Sequence, residues 1–199
     1  MSFMISTILL SAGLSSRFGS PKPLARIHDV TVLEFLQQTL LKSQTAEIII
    51  VLGAHASDIK PIILKHKKIK VVHNKDYILG QTSSFKAGLK EASNASRGML
   101  LLPVDYPFVQ TSTIDLLIEN FLKSKKLIMV PTFEDKKGHP PIFDIQLKKE
   151  FLELSDSLGL NEVSRRHPDS VSYKPVKDPA ILATFNTVEE FQKLKSEFI

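Results

Sequence analysis

"LSAGLSSRFGSPKPL" (residues 10–24) begins at the last residue of a short apolar run at residues 6–10. Two glycines, several serines, an arginine and a lysine end that run in a polar loop. In doubly wound α/β sheets, ligands bind beyond the carboxyl ends of the strands, where such loops lie. The stretch has two interpretations, a ligand cradle and a flexible solvated loop, and the rest of the chain must decide between them.

The order of apolar patterns predicts an α/β fold. Continuously apolar, β-branched runs predict strands that are covered on both faces, at residues 6–10, 47–52, 69–72, 99–104 and 127–130. Apolar residues at helical spacing predict helices around residues 32–41, 59–63, 85–92, 114–121 and 188–198, the last capped by Thr187. The alternation predicts one domain over residues 1–199, a three-layer α/β/α Rossmann-like fold with a mostly parallel sheet.

The composition excludes several function classes. The chain has no cysteine, which rules out disulfides, thiolate metal sites and a cysteine nucleophile. The net charge is +5, but the lysines are scattered and no aromatic residues interleave them, so we expect no nucleic-acid binding. No apolar run approaches the ~18 residues of a membrane span, and the amino terminus lacks the basic region of a signal peptide. We therefore expect a cytoplasmic protein that is not in the membrane.

The residue types of the opening stretch suit phosphate groups. Gly13 and Gly19 allow backbone amides to approach a ligand closely. Arg17 and Lys22 add two positive charges. The spacing matches neither the P-loop nor the G-x-G-x-x-G dinucleotide motif.

The stretch resembles the L-A-A-G-x-S-x-R-M-G-x-x-K-x-L motif of the MobA-like nucleotidyltransferases, with Ser11 and Phe18 replacing an alanine and a methionine. Later segments resemble that family's motifs in the same order: "LGQTSSFKAGL" (79–89), "LLPVDYPFV" (101–109), "KGHPPIF" (137–143) and the tail that begins "RRHPDSVSYKP" (165–175). Within the family, the chain is more similar to the molybdenum cofactor cytidylyltransferases than to the guanylyltransferases. The resemblance implies a fold like that of the nucleotide-diphospho-sugar transferases.

The resemblance also implies catalytic roles. Arg17 and Lys22 would neutralise the phosphates of the leaving group. Asp105 follows a predicted strand and would hold Mg²⁺, the expected cofactor, through its carboxylate. From the residues alone, Asp105 could equally be a turn residue before Tyr106-Pro107. Asn186 matches the position of the family's second metal ligand, and its alternative role is local capping of the last helix.

Binding residues follow from the same resemblance. Ser11, Ala12 and Gly13 would contact the nucleobase through their backbone. Ser83 and Ser84 would open a helix and hold base or ribose, although an N-cap without a ligand explains Ser84 as well.

The segments expected to bind the acceptor match the family's motifs less closely than the nucleotide-binding segments do. Gly138 and His139 would line the acceptor, although a lone histidine in a turn is commonly structural. The family's G-D-x-G-A-R segment corresponds to residues 156–161, where Asn161 replaces the arginine. This replacement favours another acceptor or weaker binding of the usual one.

The leading hypothesis is a Mg²⁺-dependent enzyme that transfers CMP from CTP to molybdopterin cofactor and releases pyrophosphate. GTP remains open as the nucleotide. One alternative is a nucleotidyltransferase for another phosphorylated acceptor, such as a sugar or polyol phosphate. The other is a non-catalytic chaperone that delivers molybdenum cofactor to a recipient molybdoenzyme.

Overall fold

The computed structural model describes residues 4–199. The strands in this part of the chain are β1 (Met4–Ser11), β2 (Arg26–Ile27), β3 (Val30–Thr31), β4 (Glu47–Leu52), β5 (Ile69–His73), β6 (Ser96–Pro103), β7 (Ile128–Phe133), β8 (Lys136–Lys137), β9 (Ile142–Asp144) and β10 (Val171–Pro175). The α-helices are α1 (Val32–Lys42), α2 (Ala56–Ile59), α3 (Gln81–Glu91), α4 (Thr111–Lys123), α5 (Lys148–Glu153), α6 (Asn161–Arg166) and α7 (Val188–Phe198).

One sheet runs through the molecule in the order β10-β7-β9-β6-β1-β4-β5, with β8 paired to β7. The central strand β1 is parallel to both neighbours, β4 and β6. Strand β9 is antiparallel and lies between β6 and β7. The predicted α/β fold with a mostly parallel sheet is confirmed. Strands β2 and β3 form a separate antiparallel pair.

Successive residues of β1 point to opposite faces of the sheet, and both faces are buried. Ile8 and Leu10 belong to the core on one side, which also contains Phe85 of α3 and Phe151 of α5. Ile5 and Leu9 belong to the core on the other side, with residues of α1, α4 and α7. This double burial explains why the strand is apolar without alternation, and it confirms the three layers.

The predicted strands all form, with ends shifted by up to three residues. The helix predicted over residues 59–63 was wrong in extent. Helix α2 ends at Ile59 and a 3₁₀ turn, Lys60–Ile62, follows it, because Pro61 has no amide hydrogen to continue the α-helical bonding. The sequence reading missed several short elements, each of six residues or fewer, which are β2, β3, β8, β9, β10, α5 and α6.

Two packing features place the elements around the carboxyl edge of β1. A Cβ at Gly88 would lie 2.6 Å from the Ile8 side chain, so α3 packs closely against the sheet. The predicted cap by Thr187 is confirmed as a capping box with Glu190, which sets the start of α7.

A membrane-spanning helix is not found among residues 4–199, where every helix is too short or too polar for that role.

Candidate active site

A cavity of about 430 Å³ opens at the carboxyl ends of β1 and β6. One wall is the loop that follows β1, including Ser11, Ala12, Gly13 and Arg17. Opposite it lie Asp105, after the end of β6, and the start of α3, and Asn186 closes one side. Residues 10–17, 22 and 23 of the opening stretch therefore line a cavity, and the binding of a ligand there stays a prediction.

The loop after β1 has a defined conformation. Ser15 adopts a positive φ of 56°, and its carbonyl oxygen accepts hydrogen bonds from the amides of Phe18 and Gly19. The Ser15 hydroxyl accepts a further bond from the Lys22 amide at 3.1 Å. Gly19 has a φ of 78°, which favours glycine. These hydrogen bonds within the chain define the conformation of the loop.

Phe18 anchors this loop to the carboxyl-terminal part of the chain. Its ring is buried and packs edge-to-face on Phe185 and Phe191, with centroid distances of 5.3 and 5.9 Å. Such pairs stabilise beyond their buried area. The phenylalanine that replaces the family's methionine thus provides an apolar contact between the loop and the segment carrying Asn186.

Gly13 has no structural requirement of its own. A Cβ at this position would meet no atom within 4 Å, and its φ is not positive. The space beside Gly13 opens to the cavity that it lines. A need for glycine here would therefore come from the close approach of a ligand.

The polar side chains expected to act on phosphates lie together. Arg17 and Lys22 both donate to the Asn186 side-chain oxygen, at 2.9 and 3.1 Å. Lys22 also donates to the Phe185 carbonyl oxygen at 2.6 Å and lies 3.6 Å from the Asp105 carboxylate. Burial lowers the pKa of Lys22, and the charge of Asp105 opposes that effect. Residues far apart in the chain thus form one polar cluster.

Asp105 and Asn186 can be tested as magnesium ligands by their donor chemistry. Within residues 4–199 there is no group of three or more carboxylate, histidine or cysteine side chains that could hold a metal. The carboxylate and the amide oxygen are nevertheless hard donors facing one cation, the Lys22 ammonium. Magnesium is commonly held by one or two carboxylates together with substrate phosphates and water. The pair therefore fits a magnesium ion that completes its coordination with nucleotide oxygens.

The two serines of α3 differ in their surroundings. Ser84 lines the cavity. Ser83 does not: its hydroxyl donates to the Asp76 carbonyl at 2.9 Å and accepts from the Asn74 side chain. The N-cap alternative for Ser84 was wrong, because α3 begins at Gln81 and the residue before it is Gly80.

Gly138 and His139 do not line the cavity. The His139 ring packs on Tyr106 at a centroid distance of 4.5 Å. Its backbone amide donates to the Ile181 carbonyl at 2.9 Å, and a Cβ at Gly138 would come within 2.4 Å of the same oxygen. Burial lowers the pKa of His139, against the attraction of Asp105. The structural alternative for His139 thus has direct support.

The divergent loop 156–161 is held against α3. Asp156 forms an ion pair with Lys86 at 3.0 Å, and the Thr82 hydroxyl donates to the Leu158 carbonyl at 2.6 Å. The Asn161 side-chain oxygen turns back towards Gly159, within 2.6 Å of where a Cβ would be. The loop carries no cationic side chain of its own.

Sequence reasoning missed several residues of this region. Tyr77, Ile78 and Gln81 line the cavity, and Asn74 positions both serines of α3. Asn74 follows β5 directly, and the rule that functional residues follow parallel strands could have found it. The Phe185 carbonyl carried no sequence signal, because any residue has one.

The cavity lies beyond the carboxyl ends of parallel strands, which is where α/β proteins bind their ligands, and comparison with known proteins identifies the family. Residues 7–171 match the model of the MobA-like NTP transferase domain. The chain belongs to this family and is a nucleotidyltransferase of the MobA-like type.

Individual relatives carry different names. Nicotine blue oxidoreductase of Paenarthrobacter nicotinovorans is 26% identical over 96% of both chains. Molybdenum cofactor cytidylyltransferase of Escherichia coli (strain K12) is 27% identical over 68% of both. The crystal structure of Rv0371c from Mycobacterium tuberculosis H37Rv is 24% identical, covers 98% of this chain and 100% of its own, and has a TM-score of 0.84. A structure of Rv0371c in complex with manganese has the same coverage, with 23% identity and a TM-score of 0.79. At these identities the structures show the fold alone.

Proposed function

We propose that this chain transfers CMP from CTP to molybdopterin cofactor and releases pyrophosphate. The observation that carries the proposal is the convergence of Arg17, Lys22, Asp105 and Asn186 beside the loop that follows β1. The name of the Escherichia coli relative supports the choice of acceptor and nucleotide. The backbone of Ser11, Ala12 and Gly13 would then face the nucleobase, as the family motif implies.

The reaction requires an acceptor phosphate oxygen to attack the α-phosphorus of CTP in line. A new phosphorus–oxygen bond forms while the bond to the β-phosphate oxygen breaks, and pyrophosphate leaves with the electron pair. Catalysis of this type depends on positioning and on charge stabilisation, and no protein nucleophile is needed. Arg17 and Lys22 would neutralise the charge that develops on the leaving group.

The remaining groups would orient the substrates. Asp105 and Asn186 would hold magnesium, which supplies charge neutralisation at the reacting phosphate when bound. Ser84 lines the cavity and would contact base or ribose, and Ser83 would act through the Asn74 network. Gly138 and His139 do not line the cavity, and His139 would support the acceptor side through its ring contact with Tyr106.

Pyrophosphate release tests this proposal directly. The purified chain is incubated with molybdopterin cofactor, Mg²⁺ and either CTP or GTP. We expect release with CTP in preference to GTP, and a loss of at least about tenfold in Asp105→Asn, as for other losses of metal-site support. Asp169→Asn is a matched control, since the Asp169 side chain is exposed and has no ion pair within residues 4–199. Equal rates in the Asp105 variant and the wild type would refute the assigned role.

A second candidate is transfer to another phosphorylated acceptor, such as a sugar or polyol phosphate. The loop 156–161 favours it, because the family's arginine is Asn161 and that side chain turns back on Gly159. Release of pyrophosphate with such an acceptor, and none with molybdopterin cofactor, would select this candidate. A chaperone that delivers cofactor to a molybdoenzyme would release none with either. A redox reaction like that named for the Paenarthrobacter relative would instead consume a reductant or an oxidant.

A further inference from the structure

Three oxygen atoms surround the Lys22 ammonium beside the cavity. They are the Phe185 carbonyl at 2.6 Å, the Asn186 side-chain oxygen at 3.1 Å and an Asp105 carboxylate oxygen at 3.6 Å. We call these three atoms the oxygen cage. The Phe185 ring lies under the same ammonium, 5.1 Å from its centroid. The cage is therefore a cation site that binds a lysine of the chain itself.

Two of the three cage oxygens belong to the residues expected to bind magnesium. An ion bonded to Asp105 and Asn186 would lie about 2.1 Å from each oxygen. The Lys22 ammonium makes close contacts with those same oxygens, so the ion and the ammonium would be close neighbours with charges of the same sign. At such separations inside a protein, repulsion between like charges is large. The ion and the ammonium cannot both remain in the cage.

The same lysine is the one expected to bind the triphosphate. Its stem starts at the 3₁₀ turn Lys22–Leu24, which Phe18 and the Ser15 hydroxyl hold next to the cavity. Asp105, Asn186 and Lys22 all line that cavity. A triphosphate bound there offers the ammonium other oxygens, so that Lys22 can leave the cage when nucleotide arrives.

We propose that Lys22 is a placeholder cation, which holds the oxygen cage in the arrangement that a divalent ion needs and must leave before the ion can bind. Phe185 is then a third, backbone oxygen donor of the metal site. Metal and triphosphate bind cooperatively, because the phosphates draw Lys22 away and the metal takes its place. The proposal rests on the proposed metal-dependent transfer and extends it to the order of binding.

Binding of Mn²⁺ alone, with no nucleotide or acceptor present, tests the proposal. Free Mn²⁺ is measured by electron paramagnetic resonance for the wild type, Lys22→Met and Arg17→Met. Both variants lose one positive charge and one donor to the Asn186 oxygen, but only Lys22 also contacts the Phe185 and Asp105 oxygens. Arg17→Met therefore controls for the change in electrostatic potential and for release of the Asn186 oxygen alone. Unfolding curves for each variant establish that it is folded, and Lys22→Gln replaces Lys22→Met if the latter is not.

We expect the neutral variant at Lys22 to bind Mn²⁺ about tenfold more tightly than the wild type, within the usual range of coupling between ligands. Arg17→Met should show a much smaller change. Adding Asp105→Ala to the Lys22 variant should abolish the gain, because it removes a cage oxygen.

An unchanged Mn²⁺ affinity in the Lys22 variant overturns the proposal. An equal gain in Arg17→Met also overturns it, since the loss of a charge and the release of Asn186 would then explain the effect without the cage. A gain that survives Asp105→Ala places the ion outside the cage and also overturns the proposal. Because the assay contains neither nucleotide nor acceptor, it can succeed for a chain that releases no pyrophosphate, and the two proposals fail separately.

Discussion

Phe18→Ala should weaken nucleotide binding in addition to destabilising the fold. Phe18 joins the loop after β1 to Phe185 and Phe191 through two edge-to-face contacts. With the ring removed, the loop loses its packing on the segment that carries Asn186. Arg17 and Lys22 would then be less well placed for phosphates, and part of the binding energy would be spent on ordering the loop.

The stability cost follows from the burial of the ring, which is 6% exposed. Replacing a buried phenylalanine by alanine costs about 3 to 5 kcal/mol. For a chain of this size, that loss lowers the melting temperature by roughly 6 to 20 °C. Phe151→Ala is the matched control, because Phe151 is fully buried on the opposite face of the sheet, in the core that contains α3.

The assay is titration of CTP with Mg²⁺, at a temperature where chemical denaturation shows that both variants are folded. We expect comparable losses of stability in the two variants and a raised dissociation constant for CTP in Phe18→Ala alone. The same dissociation constant in Phe18→Ala and the wild type would refute the view that Phe18 pre-organises the loop. Equal weakening in Phe151→Ala would attribute the effect to general destabilisation.

Four further substitutions have distinct expected outcomes. Gly138→Ala should lower the free energy of unfolding by about 1 to 3 kcal/mol, because the new Cβ meets the Ile181 carbonyl. Gly13→Ala places its Cβ in open space, so it should leave the denaturant unfolding curve nearly unchanged and weaken CTP binding. Burial lowers the pKa of His139 below its ordinary 6.5. As the pH falls through 6.5, the His139 side chain therefore binds a proton in the unfolded chain before it does so in the folded chain, which lowers the free energy of unfolding. Denaturation curves at several pH values should therefore show a larger acid-induced loss of stability in the wild type than in His139→Gln; parallel losses would contradict this. Thr187→Ala should cost about 1 kcal/mol in urea unfolding through loss of the α7 cap, and no cost would show that the capping bond contributes nothing.

The antiparallel strand β9 shows where local pattern was insufficient. Its three residues follow two prolines, and the sequence there predicted only a turn. The strand forms because β6 and β7 lie on either side of it and satisfy its backbone groups. Tertiary pairing therefore decided an element that is too short to show a period of its own.

The residues of the candidate site were predictable to different degrees. Asp105 was predictable because it follows a long apolar strand, and strand ends of a parallel sheet meet at one edge. Ser83 was not separable from Ser84, since both are polar residues in the same turn of α3. Both hydroxyls accept from Asn74, and only packing shows that Ser83 donates to the Asp76 carbonyl whereas Ser84 lines the cavity.

The sequence by itself determined the α/β class and the loop that carries Arg17 and Lys22. Strand and helix periods, glycine positions and charges are local properties that can be read over a few residues. Only the tertiary structure decided that the Lys22 ammonium would meet the Phe185 carbonyl, 163 residues further along the chain. That contact depends on strand order and on the burial of Phe18 against Phe185, and neither has a local period. Its physical basis is the pairing of a cation with oxygens that the fold, and not the neighbouring sequence, brings within reach.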